Sequence, residues 1–367
     1  MENQSFPGGT AMTTIYLIRH AEAEGNLYRI AQGQHESSLT DRGWRQVRAL
    51  ERRFADIRID AVYASDLYRT RATATAICRS HGLPLHRCPG LREICVGDWE
   101  GRTWGDIARA APEAMADFGS RMDRWSIPGA ETPAEVLARV KAAVEDIARA
   151  NPGKTLALFS HGYAIRLLLA NLQGISLRDT GEKSPTGDNT AVSLLEWDGE
   201  ALRVVWQNDN RHLKDPEYLA GEKPGRAKRA FALEPGLWFR PLEGPEAAER
   251  LAAAWAEAGE HGPVPSASLT LEGLLNEEPA GLLHLAPETG RIHLAYIRPD
   301  CRRRGLGVQL LGQAVQYTRA QGGETLSAAA APGTPGEAYL RDCGFAPQGE
   351  AEGRRLWQKP IGFDPSI

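Results

Sequence analysis

At 367 residues the chain is long enough for two or more domains, each with its own core. Its 42% hydrophobic and 25% charged residues are ordinary for a soluble globular protein, and a net charge of −4 without a block of basic residues argues against generic nucleic-acid binding. The five cysteines, Cys78, Cys88, Cys95, Cys301 and Cys343, match neither zinc-site nor disulfide-framework spacing, so no metal is expected and most read as small buried apolar residues. The first twelve residues show no signal peptide, and the most apolar stretch, 163–172, is short and contains Arg166. A cytoplasmic protein without a membrane partner is expected.

The first organised stretch is TTIYLIRHAEAEGN at 13–26. Its run of Ile15, Tyr16, Leu17 and Ile18 lacks clear alternation, which suits a buried strand. Arg19 and His20 follow at once. In a parallel strand of an open α/β sheet they would lie in the crevice at the C-terminal end, where such sheets place their chemistry. Residues 26–38, polar and rich in Gln and Gly, suit a loop over that crevice, with Gln32 and Gly33 as candidate pocket-lining residues. Thr40 can cap a helix in which Trp44, Val47, Leu50 and Phe54 recur at helical spacing. A strand at 60–64 then leads through Ser65-Asp66, a turn able to cap a helix, to Arg69 in that helix's first turn.

An acidic segment, LREICVGDWEGRT at 91–103, offers Glu93, Asp98 and Glu100, among which composition does not choose. A helix is expected over 104–125. Thr132, Pro133 and Glu135 form a capping box with proline in the first turn, starting a helix with apolar Val136, Leu137, Val140, Val144 and Ile147 that Asn151-Pro152-Gly153 ends. Residues 155–159 read as a strand, followed by Ser160, His161, Gly162 and an apolar helix from Tyr163. Strands at 189–197 and 201–208 join around Asp198-Gly199 as a hairpin.

Three strand ends would therefore bring Arg19, Arg69, His20 and His161 together. Guanidinium forks match phosphoryl oxygens bidentately, helix N-termini add donors, and a neutral imidazole nitrogen can attack phosphorus near neutral pH. One carboxylate beside such a nucleophile can protonate the leaving oxygen and later activate water.

RHAEAEGN, SDLYRTRATATA, LREICVGDWEGRT, the TPAEVLARV helix and LFSHGYAIRLLLANL resemble, in order and spacing, the histidine phosphatase superfamily with its phosphoglycerate mutase-like fold, over about 12–212. The resemblance implies a three-layer α/β/α sandwich, His20 as phosphorylated nucleophile and Glu93 as proton donor and acceptor. It places the phosphoryl oxygens on Arg19, Arg69 and His161, with Asn26 a further polar contact. It requires no metal or other cofactor, and it makes 104–125 part of a lid where Met115, Phe118 and Met122 are candidates for specificity. Ala21 stands where many relatives have glycine. Cofactor-dependent mutases of the family carry a longer segment after the catalytic glutamate, whereas Glu93 runs directly into VGDWEGRTW, as in the smaller phosphatase branches. Hydrolysis of a small phosphorylated metabolite is therefore favoured over mutase-type transfer.

Residues 213–235 mix charge, glycine and proline without periodicity and read as a linker. Beyond them come a strand at 237–243, an alanine-rich helix at 245–258, and an antiparallel pair, 280–286 and 291–298, about the 287–290 turn. The glycine-containing turn in IRPDCRRRGLGVQLLGQAV can present backbone N–H groups to a pyrophosphate at a helix start. Ile297 and Pro299, followed by Arg302, Gly305 and Gly307, resemble the acyl-CoA signature of the GNAT acetyltransferase family, an α+β fold, and residues 341–345 resemble its C-terminal strand. The resemblance spans about 236–361 and implies acetyl-CoA as ligand. Arg302, Arg303, Arg304, Gly305, Leu306 and Gly307 would cradle its pyrophosphate, and Ile297 would flank its pantetheine arm. Leu340 occupies the position where relatives carry a leaving-thiolate tyrosine, with Tyr339 one residue out of register, so binding is better supported than catalysis. Two readings follow: a bifunctional phosphatase and N-acetyltransferase, or a phosphatase whose second domain binds acyl-CoA as a regulatory module.

Overall fold

The apolar run at 15–18 forms the middle of β1 (Thr13–Arg19), and around it a mixed six-stranded sheet is built from β2 (Ala61–Ala64), β3 (Leu85–Arg87), β4 (Thr155–Ser160), β5 (Val192–Trp197) and β6 (Leu202–Asp209). The order is β3-β2-β4-β1-β5-β6. The first four strands are parallel; β5 and β6 add an antiparallel hairpin on the β1 side. The computed structural model describes residues 11–222 and 236–367. Nine helices of this region are α1 (Glu24–Tyr28), α2 (Asp41–Phe54), α3 (Tyr68–His81), α4 (Trp104–Ala110), α5 (Pro112–Ser120), α6 (Pro133–Arg149), α7 (Gly162–Leu172), α8 (Leu177–Lys183) and α9 (Pro216–Ala220).

Side-chain alternation along the strands divides the core into two faces. Ile15, Leu17, Leu156 and Leu158 pack with Val136, Val140, Leu167 and Leu168 of α6 and α7. Ile18, Val62 and Phe159 pack with Val47, Leu50, Phe54 and Ile77 of α2 and α3. The result is the expected three-layer sandwich. The capping chemistry is as read: Thr40 Oγ1 accepts from Gly43 N at 3.0 Å, and Thr132 and Glu135 cap α6 reciprocally.

Local departures have physical causes. The single helix expected at 104–125 breaks at Ala111, where Pro112 opens α5, and α5 ends at Ser120. Ser65-Asp66 does not cap α3 directly: the N-cap residue is Leu67, and the Tyr68 amide is satisfied by Glu36 at 2.8 Å. The hairpin's first strand starts at Val192, not 189, because Thr190 adopts a left-handed φ of 63°. Of the cysteines, Cys301 is buried and the other four are partly exposed, all free.

The second sheet is seven-stranded, ordered β12-β13-β11-β10-β9-β8-β7. Its strands are β7 (Trp238–Pro241), β8 (Leu269–Leu275), β9 (Glu278–Ala286), β10 (Arg291–Ile297), β11 (Thr325–Ala330), β12 (Ala346–Ala351) and β13 (Arg354–Pro360), with α10 (Gly244–Glu257), α11 (Gly307–Ala320) and α12 (Pro335–Asp342). Every neighbour pair is antiparallel except β10 and β11, whose parallel pairing is confined to Arg291↔Ser327. Residues 341–345 are not a strand: α12 runs to Asp342, Gly344 turns the chain at φ 81°, and β12 follows. Among the described residues no helix is long and apolar enough to cross a membrane.

The tether reading at 213–235 is corrected where the structure describes it. Asp215 caps α9, Tyr218 is buried, and Glu222 pairs with Arg42 and Arg45 of α2 at 3.1 and 3.2 Å. Residues 1–10 and 223–235, including most of the N-terminal stretch and the rest of that linker, lie outside the described residues.

The two regions also share a core. Tyr28 and Ile30, which follow the candidate nucleophile by fewer than a dozen residues, are buried with Leu310, Leu311 and Leu326 of the second region. Gly312 permits the approach of α11, since a Cβ there would lie 2.5 Å from that of Tyr28. Ile30→Ala is expected to cost about 2–5 kcal/mol as a buried-methylene deletion. Hydrogen exchange in β9 and β11 should accelerate along with the first region's, although Ile30 precedes the boundary near residue 212.

Candidate active site

Because β2, β4 and β1 are adjacent, the segments leaving them converge. His20 is 3% exposed and His161 fully buried, their ring centroids 5.3 Å apart. The His20 amide donates to the Ser160 carbonyl at 3.0 Å, and its Nδ1 lies 2.7 Å from the Ala21 carbonyl. A carbonyl only accepts, so Nδ1 carries the proton and Nε2 keeps a free lone pair. Burial, then the charges of Arg69 and Arg19, hold His20 well below the ordinary imidazole range. His20 is therefore neutral and nucleophilic at Nε2 near neutral pH. Ala21 is fully buried and donates its amide to Thr73 of α3 at 2.9 Å, so the methyl that replaces glycine is packed, not intrusive.

Arg19 is fixed by Gly187, whose carbonyl accepts from Nη1 at 2.5 Å. Gly162, the first residue of α7, leaves it room, because a Cβ there would come within 3.0 Å of the guanidinium. Arg69 is 1% exposed and donates to the carbonyls of Gly33 and His35 at 2.6 and 3.0 Å. Burial lowers it to about 10, opposed by Glu93, Glu36 and Glu100, so it stays charged at neutral pH. The Nε atoms of Arg19 and Arg69 and both ring nitrogens of His161 are buried without a hydrogen-bond partner. Buried orphan donors are costly, and an anion with several oxygens is the ligand that would satisfy them together.

Glu93 meets the start of α7. Its Oε1 accepts from the amides of Ile94 and Ala164 at 3.1 and 2.9 Å, and its Oε2 from Tyr163 at 3.1 Å. The field of Glu93 acts on both Arg19 and Arg69, which puts it beside the histidine pair. The other acidic candidates separate from it: Asp98 is exposed, and Glu100 accepts from the amides of Gln34, His35 and Val96 at 2.9, 2.7 and 2.9 Å.

The remaining first-region candidates support the site from behind. Asn26 Oδ1 accepts from the Ala23 amide at 3.0 Å, capping α1. Gly33 contributes its carbonyl to Arg69, and its φ of 43° with Glu100 2.2 Å from a hypothetical Cβ explains the glycine. Gln32 packs on Gly25 and accepts from Ser37 at 2.5 Å. Met122 is buried in the core, while Phe118 stacks on Tyr163 at 4.8 Å.

Sequence reasoning passed over Asn189, which donates to the His20 carbonyl at 3.0 Å, and Arg139, which binds the carbonyls of Gly90, Arg92 and Glu93 at 3.0, 3.0 and 3.3 Å. Arg139 lies on the exposed-looking side of a helix pattern and gave no signal; Asn189 preceding an apolar strand was the one hint available.

In the second region Gly305 has φ 80° and Arg303 φ 60°, forming a turn into α11, whose N-terminus has no side-chain cap. Arg302, Arg303 and Arg304 are exposed, Arg302 Nε donates to the Ile297 carbonyl at 2.8 Å, and the Leu306 side chain is buried in the core. Gly307 sits 3.0 Å from Tyr339 at a hypothetical Cβ, and the Tyr339 hydroxyl donates to the Gly307 carbonyl at 2.8 Å. Leu340 is buried.

Residues 15–210 match the histidine phosphatase superfamily (branch 1), more than half of the chain. The chain belongs to the histidine phosphatase superfamily. In this superfamily member residues 236–345 also match the acetyltransferase (GNAT) family, so two families are joined in one chain. It is 35% identical over 222 residues to the "Metal-independent phosphoserine phosphatase" of Arabidopsis thaliana, covering 59% of this chain and 90% of that one. It is 32% identical over 210 residues to the "Probable phosphoglycerate mutase GpmB" of Enterobacter sp. strain 638, covering 56% and 97%. Among solved structures, Bacillus stearothermophilus YhfR is similar with a TM-score of 0.53 and 30% identity, over 55% of this chain and 99% of that one.

His212 is also held low, at about 4, by burial and Arg53, with its Nε2 3.0 Å from Thr190 Oγ1. The folded pKa values of His20, His161 and His212 lie below the unfolded value of 6.5, so the unfolded chain binds more protons between the two. The His212 contribution is complete above about pH 6.5 and lost as pH falls toward 4, and those of His20 and His161 are lost in the same direction. The melting temperature should drop across that window, less steeply in His212→Gln; equal slopes in the two proteins would contradict a neutral buried His212.

Proposed function

We propose that the first region hydrolyses a small phosphorylated metabolite through a phosphohistidine on His20. The observation that carries this is the neutral His20, proton on Nδ1 and lone pair on Nε2, set among buried unsatisfied donors of Arg19, Arg69 and His161. In the first step Nε2 bonds to phosphorus as the P–O bond to the leaving group breaks, and protonated Glu93 gives that oxygen its proton. In the second step water bonds to phosphorus, the N–P bond breaks, and Glu93 takes the water's proton, releasing phosphate. Arg19, Arg69 and His161 stabilise charge on the non-bridging oxygens throughout. Asn189 and Arg139 hold the His20 and Glu93 backbones in place.

The phosphoserine phosphatase among the relatives makes phosphoserine the first metabolite to test. Mutase-type transfer is the alternative suggested by the GpmB relative. Hydrolysis is preferred because about ten residues lead from Glu93 to Thr103, which caps α4, in place of the longer segment that the cofactor-dependent mutases carry after this glutamate.

For the second region we propose acyl-CoA binding at the start of α11. The left-handed turn at Arg303 and Gly305, the uncapped helix start at Gly307 and the exposed Arg304 suit a pyrophosphate, and the limited β10–β11 pairing leaves the Ile297 end of β10 open to a pantetheine arm. Acetyl-CoA would supply the acyl group. With Leu340 buried and Tyr339 bound to Gly307, neither of these two positions supplies the thiolate's proton donor, and ligand binding is the half of this reading that the turn supports.

Hydrolysis of an aryl phosphate in the presence of chelator should be abolished in His20→Ala and reduced about 10²–10⁴-fold in Glu93→Gln. Acid-labile phosphate should be trapped on the native chain and not on His20→Ala. A strict metal requirement, or full activity in His20→Ala, would refute the mechanism.

A further inference from the structure

The loop that holds Arg69 is itself held by the second region. Glu24, buried at the start of α1, accepts from the Ser38 amide at 3.1 Å and from Arg319 of α11 at 2.7 and 3.1 Å. Arg319 is in turn fixed by the Ile361 carbonyl, at 2.7 Å from Nε, and by the Phe363 ring, whose centroid is 4.8 Å from its guanidinium carbon. One turn earlier on the same face of α11, Gln316 donates to the Gly101 carbonyl at 2.7 Å, next to Glu100. Glu100 is the carboxylate that accepts from the Gln34 and His35 amides.

The Arg69 loop is thus clamped at two points, Ser38 and His35, and α11 reaches the support of both. His35 lies between the arginines: its carbonyl accepts from Arg69, and its ring feels the charge of Arg69 and Arg319. The chain's last residues close the same face, with Phe363 against Tyr68 at 4.9 Å and the Asp364 amide donating to the Tyr68 hydroxyl at 3.2 Å. Tyr68 immediately precedes Arg69.

We propose that Arg319 is a positioning residue for the phosphoryl-binding Arg69, acting through Glu24 and the 33–38 loop, so that the acetyltransferase-like region completes the phosphatase site. This rests on the assignment of Arg69 to the phosphoryl group. Arg319 touches no reacting atom; it fixes the carbonyls that aim the guanidinium. A transition-state mimic should therefore report its loss more directly than overall stability does.

The test compares the full-length native chain with Arg319→Ala, Arg319→Lys and Glu24→Gln, each well below its melting temperature. Arg109→Ala is the control, since it cuts a separate ion pair between the regions, Arg109–Glu277 at 2.9 Å, that does not reach the Arg69 loop. Orthovanadate affinity is read by calorimetry and aryl phosphate hydrolysis by kcat and KM. Arg319→Ala should weaken vanadate binding about three- to thirtyfold and lower kcat/KM by a similar factor. Arg319→Lys should recover part of the loss, Glu24→Gln should fall in the same direction, and Arg109→Ala should match the native chain. Native vanadate affinity in Arg319→Ala, or an equal loss in Arg109→Ala, would overturn the proposal. Vanadate titration needs no turnover: a native chain that binds vanadate yet hydrolyses nothing would sink the hydrolysis reading alone.

Discussion

The arrangement around the candidate site follows from holding one guanidinium out of water. Arg69 is buried in the first turn of α3, just beyond β2, where an uncompensated cation would cost several kcal/mol. Its hydrogen bonds run to two loop carbonyls, while Glu93, Glu36 and Glu100 act on it through space. Carbonyls aim a guanidinium without neutralising it, so its charge remains available to a ligand. Burial first, and then the same positive field, keeps His20 and His161 neutral, which leaves a lone pair on the His20 ring. One buried cation thereby sets the anion preference of the pocket and adds to the burial that keeps the candidate nucleophile neutral.

The parts of the fold legible in the sequence were those whose signal is local. Buried runs at β1 and β4, the Thr40 and Thr132 caps, and the residues just past each strand end are all written within a few positions of one another. That Arg19, Arg69, His20 and His161 meet follows once β2, β4 and β1 are neighbours. What the sequence did not convey are long-range polar contacts. Arg139 grips carbonyls more than forty residues away, and Asn189 holds a carbonyl 169 residues away. Gln32 resembled a pocket residue because it stands in a polar loop, but its partners, Gly25 and Ser37, are themselves in that loop and its approach. Similarly 213–222 looked like a tether because a short capped helix held by Arg42 and Arg45 carries no periodicity to read.

The boundary between the two families in sequence is not the boundary between cores. Relatives of about two hundred aligned residues cover 90–97% of their own length against little more than half of this chain, so α11 has no counterpart in those alignments. Here Leu27, Tyr28 and Ile30, which belong to the phosphatase-like part by sequence, pack into the second sheet's core. Apolar side chains of a short helix beside a nucleophile must be covered by something, and in this chain the cover is a helix from another family. The contact is close because Gly312 offers no side chain to Tyr28, and it is oriented because Arg319 forms a bidentate pair with Glu24.

That shared helix fixes the distance between the two candidate sites. Gly307, at the uncapped start of α11, and Arg319, in its last turn, are separated by about 18 Å of continuous helix at 1.5 Å per residue. A helix packed along its length between the second sheet and α1 has little freedom to bend, and its central residues Leu310, Leu311, Ala314 and Val315 are all buried. The Gly307 end and the Arg319 end therefore move as one body or not at all. A hinge that brought one site to the other would have to break the Tyr28 core contact and the Glu24–Arg319 pair together. Fusion in this chain holds the two sites at a set separation, with contact between them carried by α11 rather than by a mobile arm.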